Sequence, residues 1–565
     1  MFDAIQNEIR QAVAATSGEE AAAALDFGTI PAEKKGDLAV VTFPLAQLLR
    51  LAPNRIAASL VESLQALDFV EEVQAVGAYV NLTFDRKVIA HRLRDAITNG
   101  AHFQFEDGQD RRVLLEHTSI NPNASPHVGR ARNGIIGDTL ARVVRKLGYA
   151  VEVHYYVNNM GKQIALLARA CRKLDREPTF DEILQIYMDA SQEAEGNDAV
   201  EQEAFQMLQA FENGDPTVRE EFTRVVRLCL KGQTAILARL GIAFDQFDEE
   251  SDFIQSARLD DVIQALEKAG ALFKDDDGRQ VVDLAQLGYD KEHGRHLVLR
   301  RSNGSSMYVL RDLAYTCYKA DRGAELNLTI LGEDHHLYQE QLAYLLQKTI
   351  DCQVPDALFY SFVLLKDGKM STRRGRVVLL NDLLNEAEER VMARLVENRP
   401  ELDEEARLDV SRKVAAAAVR FTIARVGPGS NVTFDIEEAL SFEGDTGPYL
   451  QYTFARLSSL LDKAAERRQG IEPDWSLLSE AEWNVLMELG RFRERVRETY
   501  ASRNPAHLCM YALSLAKLTN RFYHGSPVLQ AEEALFHLRT EISSMARATL
   551  EEVLHLIGLE PSARI

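Results

Sequence analysis

A tetrapeptide with phosphate-binding character, HVGR at residues 127–130, stands directly before a helical pattern. Apolar residues recur at intervals of four, three and four between Ile136 and Leu147, which is typical of an amphipathic helix. Free backbone N–H groups at the start of a helix, together with the helix dipole, attract anions. Gly129 lets a flat ring approach the backbone, while His127 and Arg130 add donors for a polyphosphate. The tetrapeptide predicts a nucleotide site, although an ordinary loop of an α/β domain explains it equally well.

A second stretch, KDGKMSTRRGR at residues 366–376, places five cations within eleven residues. A glycine lies on each side of its KMSTRR core, which predicts a mobile loop. Attack on the α-phosphate of a nucleoside triphosphate expels pyrophosphate, and a mobile basic loop supplies the cations that this leaving group needs. The alternative is a solvated hairpin turn, the usual fate of a charge run.

The elements around HVGR predict a βαβ unit over residues 113–159. A short apolar strand ends at Glu116, a loop rich in Pro, Asn and Ser follows, the helix stops at Gly148, and β-branched and aromatic residues 151–157 predict the second strand. Further strands of a buried parallel sheet are predicted at 296–300, 326–331 and 357–365. A mostly helical insertion is predicted at about 165–293.

Five motifs in order resemble the arginyl-tRNA synthetase family, whose class I signatures are HIGH and KMSKS. They are EHTSINPN before HVGR, ARNGIIGD after it, YVLRD at 308–312, MSTRRG at 370–375 and DTGPYLQY at 445–452. The resemblance covers nearly the whole chain. It implies an α/β fold: a doubly wound parallel-sheet (Rossmann-like) catalytic domain at 109–440, after an N-terminal α+β domain at 1–108 and before a C-terminal all-α bundle at 441–565 that binds the anticodon region.

The resemblance implies an arginine–tRNA ligase. Such an enzyme activates L-arginine with ATP to arginyl-adenylate, then transfers it to the 3′ terminal adenosine of tRNA-Arg and releases AMP and pyrophosphate. Mg²⁺ is expected with ATP rather than in a protein-ligated site, and bound tRNA is expected before arginine is activated. No general base is needed for the first step, because the arginine carboxylate is itself the nucleophile.

The resemblance also implies the site residues. The catalytic residues are expected to be His127, Arg130, Lys369, Ser371 and Arg373. Those that contact ATP are expected to be His127, Gly129, Arg130, Asn133, Asp334, Lys369, Met370 and Ser371. Those that contact arginine are expected to be Glu116, Ser119, Asn121, Tyr308, Asp312 and His336.

Guanidinium chemistry favours two of these positions independently of the resemblance. A site that selects arginine over lysine needs carboxylates in the plane of the guanidinium fork. Glu116 ends the first strand, and Asp312 lies four residues after Tyr308 on the predicted first turn of a helix. Alternatives remain open: Glu116 as a helix cap, Asp312 paired with Arg311 or Lys319, and Tyr308 in the core.

The chain departs from the family signatures at two positions. Arg130 replaces the last histidine of HIGH, and Thr372 replaces the second lysine of KMSKS. Lys369 is kept, and Arg373 and Arg374 follow it. We therefore expect the basic loop itself to compensate the charge of pyrophosphate.

Contacts to tRNA are expected in both flanking domains. By position, Tyr79 and Asn81 are the RNA-facing aromatic and amide of the N-terminal domain, with ordinary sheet packing as the alternative. Long helices are predicted at 449–465, 480–501, 505–523 and 531–557. The C-terminal residues expected to contact tRNA are Tyr449, Gln451, Arg456, Arg495, Asn520 and Tyr523.

Composition limits the class of protein. A chain of 565 residues with 46% hydrophobic and 27% charged residues predicts a globular protein of three or more domains. Five widely spaced cysteines make a disulfide framework or a metal site unlikely and fit a reducing cytoplasm. Neither a signal peptide nor a membrane span is evident, and a cytoplasmic monomer is expected. A net charge of −21 argues against nucleic-acid binding unless basic faces are local.

Two alternative functions stay open at this point. One is a tRNA-binding or scaffold paralogue without catalysis, against which the joint presence of the arginine-site and phosphate-loop residues argues. The other is an enzyme that uses the same adenylate chemistry on another acceptor, against which the three-domain layout argues.

Overall fold

The computed structural model describes residues 1–563 except 29, 31–34, 255–256, 292–294, 351, 367–377 and 468–469. None of the helices in this part of the chain is long and apolar enough to cross a membrane.

The N-terminal domain packs its helices on an antiparallel sheet of order β1-β2-β4-β3. Its elements are α1 (Phe2–Ser17), α2 (Glu19–Ala23), β1 (Asp26–Gly28), β2 (Leu38–Val41), α3 (Leu45–Leu49), α4 (Pro53–Gln65), β3 (Val70–Val76), β4 (Tyr79–Phe84) and α5 (Arg86–Thr98). Alternation in the sequence predicts strands at 70–76 and 79–84, and β3 and β4 confirm both. In β4 the residues Val80, Leu82 and Phe84 are buried, as expected from the two-residue period of a strand.

The central domain begins with the predicted βαβ unit. Its elements are β5 (Arg112–Glu116), α6 (Val128–Lys146), β6 (Ala150–Val157), α7 (Lys162–Arg172), α8 (Phe180–Ala194), α9 (Asp198–Glu212), α10 (Pro216–Ala238), β7 (Gln246–Glu249), α11 (Ala257–Lys268), β8 (Leu272–Lys274), β9 (Gln280–Asp283), β10 (His296–Arg300), α12 (Tyr308–Ala320), β11 (Leu326–Gly332), α13 (His336–Thr349), β12 (Asp356–Tyr360), β13 (Val363–Leu365), α14 (Leu380–Asn398), α15 (Glu404–Ala424), β14 (Val432–Phe434) and α16 (Ile436–Ala439).

Five parallel strands form the central sheet in the order β12-β11-β5-β6-β7. In chain order within the sheet this is 5-4-1-2-3, so the strand order reverses between β5 and β11. Ligands of doubly wound sheets bind at such a switch point, outside the carboxyl ends of the strands.

Three details of the predicted sheet are wrong. Strand β10 pairs antiparallel with β9 in a separate three-stranded sheet instead of joining the central one. The segment predicted as one strand at 357–365 is two strands, because β13 leaves the central sheet and pairs with β14. Strand β7 lies inside the predicted helical insertion yet forms one edge of the central sheet.

The C-terminal domain is an all-α bundle. Its elements are α17 (Gly447–Ala464), α18 (Glu480–Gly490), α19 (Phe492–Ser502), α20 (Ala506–Gly525) and α21 (Glu533–Ile557). The helix predicted at 480–501 is broken at Arg491 into α18 and α19. At the break Gly490 lies against the N-terminus, where an added Cβ would meet the Met1 side chain at 2.5 Å.

A fully buried guanidinium joins the central domain to the end of the chain. Arg420, on α15, forms an ion pair with Asp138 of α6 and donates to the carbonyls of Leu240 and Ile557, each at 2.5 Å. Although burial opposes ionisation, Arg420 and Arg142 hold the pKa of the Asp138 carboxyl below its usual value. Gly558 is tied to this arrangement, because its φ is +82° and an added Cβ would lie 2.2 Å from the Arg420 guanidinium.

Replacing Arg420 with Met should therefore destabilise the fold strongly. It leaves a buried carboxylate with one partner fewer and two carbonyls without a donor, a loss of about 3–5 kcal/mol. Thermal unfolding followed by circular dichroism should show a fall of several degrees. Arg425→Met, directly after the same helix, is the matched control: its 3.5 Å pair with the exposed Glu438 predicts almost no change. Equal effects of the two substitutions would contradict the role given to Arg420.

Candidate active site

A cavity of about 690 Å³ opens at the switch point of the central sheet. Its wall comes from the end of β5 and the loop after it, the end of β6, helix α12, strand β11 and the start of α13. These elements are far apart in the chain. The cavity therefore gathers polar residues that only the parallel sheet brings together.

The loop after β5 has a constrained backbone. Thr118 and Ser119 both adopt positive φ, at 73° and 43°, a conformation that residues with a Cβ seldom take. The Thr118 N–H donates to the Asn133 side chain at 2.8 Å, and the Ser119 hydroxyl accepts the backbone N–H of Tyr156 at 3.0 Å. Gly137 of α6 makes room for this loop, since a Cβ there would lie 2.3 Å from the His117 ring.

HVGR occupies the predicted place at the start of α6. Arg130 lines the cavity, and His127 is the residue directly before the helix. Burial and the nearby Arg130 lower the pKa of His127 to about 4, so its imidazole is neutral at physiological pH. Gly129 lies against the His127 ring, which an added Cβ would meet at 3.0 Å.

Only Lys366 of the basic stretch is described, and the predicted site residues Lys369, Met370, Ser371 and Arg373 lie outside the described residues. The Lys366 ammonium pairs with Asp435 at 2.7 Å. After the stretch, the Val378 carbonyl accepts the Val128 N–H at 3.2 Å, and the Leu380 N–H donates to the Pro126 carbonyl at 2.8 Å. The chain that follows the basic stretch is thus hydrogen-bonded to HVGR itself.

Three carboxylates face the cavity, and two of them have a cation. Lys319 donates to Glu116 at 2.5 Å, and Arg311 donates to Glu250 at 2.6 Å. Asp312 accepts a hydrogen bond of 2.5 Å from the Tyr338 hydroxyl, but in the described part of the chain no cation lies within ion-pair distance of it. Burial raises the pKa of Asp312 to about 7, against the opposing effect of the Tyr338 hydrogen bond.

The predicted arginine-contacting residues come together with one exception. The cavity is lined by Glu116, Ser119, Asn121, Tyr308 and Asp312. His336 instead places its ring 4.5 Å from that of Phe359, and its neighbour His335 lines the cavity. The alternative partners of Asp312 are taken by other carboxylates, and Tyr308 is 52% exposed rather than in the core.

Two residues predicted to contact ATP, Asn133 and Asp334, are not free side chains in the cavity wall. Asn133 lines the cavity, but its amide is used within the protein, where it accepts from Thr118 N–H and donates to the Ile330 carbonyl at 2.9 Å. The Asp334 side chain is 65% exposed in the turn that precedes α13. The first residue therefore orders the loop after β5, and the second lies outside the cavity wall.

Several cavity residues have no counterpart in the sequence prediction: Tyr156, Glu250, Arg311, Tyr315 and Tyr338. Glu250 follows β7, which the sequence assigns to the helical insertion. Tyr156 faces the cavity because alternate residues of β6 point to the α12 side of the sheet. The apolar alternation of β6 was a usable signal, whereas no local signal marks Glu250.

Among the described residues, no cluster of His, Cys, Asp or Glu has the arrangement of a metal site.

The two predicted RNA contacts of the N-terminal domain differ in exposure. Tyr79 is exposed, and its ring meets that of the exposed Phe43 at 5.8 Å. Asn81 is only 8% exposed, which contradicts its prediction as an RNA-facing amide. It lies on the same face of β4 as Tyr79, but the chain at Gly36 and Asp37 packs over it, with the Asp37 N–H bonded to the Leu82 carbonyl.

Four of the six predicted C-terminal contacts form one cluster between α17 and α20. Arg456 donates to Asn520 at 3.2 Å, and its guanidinium lies 5.1 Å from the Tyr523 ring. Asn520 in turn donates to the Tyr449 hydroxyl at 3.0 Å. The exposed Tyr452 and His524 complete the group, which we call the α17–α20 cluster.

The other two predicted C-terminal contacts are engaged elsewhere. Gln451 is 0% exposed and donates to the carbonyls of Lys413 and Glu560, which contradicts its prediction as a tRNA contact. The reason is helical periodicity, which turns Gln451 toward α15 while Tyr452 faces out. Arg495 pairs with Glu498 on its own helix.

Three known protein families match the chain, one in each of its three domains. The family described as "tRNA synthetases class I (R), catalytic domain" matches residues 92–426. "Arginyl tRNA synthetase N terminal domain" matches residues 3–84, and "DALR anticodon binding domain" matches residues 450–565.

Individual relatives match nearly the whole length of the chain. The chain is 38% identical to the arginine–tRNA ligase of Methanocella arvoryzae over 527 residues, which is 92% of each protein. It is 35% identical to the arginine–tRNA ligase of Methanosphaerula palustris, with 99% of each covered. The structure superposes on the Thermus thermophilus arginyl-tRNA synthetase with a TM-score of 0.84 and 29% identity, over 100% of both chains.

The Asp312 carboxyl should make the stability of the free protein depend on pH. Its folded-state pKa of about 7 lies above its ordinary value of 3.8, so the fold loses stability as pH rises from 3.8 to about 7, and the loss levels off above that pH. Asp312→Asn removes that penalty. The unfolding temperature of the variant relative to the unchanged protein should rise between pH 5.5 and 8.5 in scanning fluorimetry. A difference that is constant or falls over this range would contradict the assignment.

Proposed function

Because the chain belongs to the class I arginyl-tRNA synthetase family, we propose that it is an arginine–tRNA ligase. It activates L-arginine with ATP, forms arginyl-adenylate and transfers the arginyl group to the 3′ terminal adenosine of tRNA-Arg. The observation that carries the proposal is the charge of the cavity: it holds three carboxylates, and Asp312 faces it without a cation among the described residues. A guanidinium is the partner that this carboxylate lacks.

Arginine binds, in this proposal, with its side chain toward α12. Asp312 and Glu116 hold the guanidinium, and the Tyr308 ring covers its stem from the open side. Ser119 and Asn121 lie on the loop after β5 and meet the α-amino and carboxylate end. The amide oxygen of Asn121 already accepts from Asn158 at 2.6 Å, which fixes the amide toward the ligand.

ATP binds next to HVGR with its Mg²⁺, which supplies positive charge on the phosphates. The neutral His127 donates a hydrogen bond to the phosphates without adding charge, and Arg130 adds charge from the cavity wall. The hydrogen bonds between residues 126–128 and 378–380 support a role for Lys369, Ser371 and Arg373 on the same phosphates, since the basic stretch ends two residues before Val378. Positioning and charge carry the reaction, since the substrate is its own nucleophile.

The 3′ end of tRNA enters through a second cavity of about 500 Å³ that shares Lys162, Tyr308 and Arg311 with the first. Arg301 and the exposed Phe205 line it as well, and they offer a cation for phosphate and a ring for base stacking.

The proposed domain limits are 1–108, 109–440 and 441–565. The gaps between α5 and β5 and between α16 and α17 support them.

Arginine charging tests the proposal directly. The chain should attach radiolabelled arginine to tRNA-Arg, and Asp312→Ala should lower kcat/KM for arginine by about 100-fold or more, because the bound guanidinium loses a buried charged partner. Asp321→Ala, at the exposed end of the same helix, should stay within about twofold. Tight tRNA binding without charging would instead favour the non-catalytic alternative, and pyrophosphate exchange without transfer would indicate another acceptor.

The α17–α20 cluster should bind the anticodon region. Arg456→Ala removes a cation held between two aromatic rings, so KM for tRNA should rise about tenfold with little change in kcat or in KM for arginine. Lys463→Ala, exposed near the end of the same helix, is the control. If both substitutions change KM for tRNA equally, the cluster is not a specific contact.

A further inference from the structure

Tyr156 carries a polar group that the protein itself leaves unsatisfied. Its side chain is 8% exposed, and within the described part of the chain its hydroxyl has no hydrogen-bond partner. Nearly all buried hydroxyls in folded proteins have one, because an unmade hydrogen bond costs free energy. Tyr156 also lines the main cavity, which makes a ligand the available partner.

The ring of Tyr156 is held so that it cannot turn to find another partner. It stacks on Tyr315 at 4.4 Å with an angle of 21° between the planes. Tyr315 is fixed in turn, since its hydroxyl donates to Asp248 at 3.0 Å and His154 shares the same carboxylate at 2.5 Å. On the other side the Tyr156 backbone is bonded to the Ser119 hydroxyl. The phenol is thus pre-positioned at the cavity wall.

Most of the charges around the hydroxyl are negative. Burial, with Asp312 and Glu250 next in effect, raises the pKa of the Tyr156 phenol well above its usual range; Glu116 acts in the same direction, and Arg311 opposes it. The hydroxyl therefore keeps its proton, and its oxygen can accept a hydrogen bond from a cation.

We propose that Tyr156 determines specificity for the guanidinium of arginine, with its oxygen accepting one guanidinium N–H. The inference deepens the proposed function and rests on it. A guanidinium has five donors and no acceptor. Glu116 and Asp312 already accept hydrogen bonds from Lys319 and Tyr338, so a neutral acceptor completes the set. An ammonium has fewer donors and a different shape, so lysine leaves the hydroxyl unpaired and is disfavoured.

Tyr156→Phe removes only the hydroxyl. It should raise KM for arginine, and the Kd for arginine measured by calorimetry, about tenfold, as expected for a hydrogen bond to a charged group. KM for ATP and for tRNA should stay within about twofold. The preference for arginine over lysine, as the ratio of kcat/KM values, should fall about tenfold. The unfolding temperature of the free variant should be unchanged or higher, because no internal hydrogen bond is lost.

Tyr155→Phe is the matched control on the same strand. The Tyr155 hydroxyl faces the opposite side of the sheet and donates to the Ile120 carbonyl at 3.0 Å, with Gln233 at 3.1 Å. Its removal should lower the unfolding temperature, because internal hydrogen bonds are lost. This contrast separates a hydroxyl used by the ligand from one used by the fold.

Two outcomes overturn the inference. One is a Tyr156→Phe enzyme whose KM for arginine stays within twofold of the unchanged enzyme. The other is a fall in unfolding temperature like that of Tyr155→Phe, which would reveal an internal partner for the hydroxyl. Failure of the unchanged protein to bind and charge arginine would overturn the proposed function and this inference with it, and it is seen before any variant is compared.

Discussion

The position of helix α6 is the constraint on which the remaining structure depends, and buried guanidinium groups set it. Near its start, Arg132 is fully buried and donates to the carbonyls of Ser361 and Gly427, at 2.7 and 2.9 Å. At its middle, Asp138 receives Arg420 from α15 and Arg142 from its own next turn. Such groups are costly to bury, and the carboxylate and carbonyl acceptors around them offset part of that cost. They hold the helix that presents HVGR while tying it to α10, α15 and the end of α21.

In the cavity at the start of that helix, one of the three carboxylates has no cationic partner among the described residues. Lys319 and Arg311 neutralise Glu116 and Glu250, but Asp312 is left with the Tyr338 hydroxyl. An uncompensated buried carboxylate makes the free protein less stable at neutral than at acid pH, and a cation that pairs with it restores that stability by the same linkage. A stack of tyrosines from β6 and α12 forms the wall beside it.

The two flanking domains are joined to each other as well as to the centre. Arg493 and Arg497, one turn apart on α19, both reach Asp3 of α1, and Arg497 also binds Asp107 at 2.5 Å. The Trp483 indole donates to Asp37 at 3.0 Å. Arg493 and Arg497 therefore hold the flanking domains together.

The sequence by itself determined the parts that depend on local pattern. The βαβ unit around HVGR, strands β3 and β4 and the C-terminal helices follow from periodicity and turn residues, because neighbours in the chain decide them. The motif residues Glu116, Ser119, Asn121, Tyr308 and Asp312 were found by their order in the chain, and they do line one cavity.

Only the tertiary structure decided what depends on distant neighbours. It alone assigns β10 and β13 to separate sheets and β7 to the central one, because strand pairing is a long-range choice. It alone buries Asn81 and Gln451, and it pairs Lys319 with Glu116 rather than Asp312. Among the described residues the Tyr155 hydroxyl has hydrogen-bond partners and the Tyr156 hydroxyl has none. That difference depends on what the fold places against each side chain, and residue type carries no information on it.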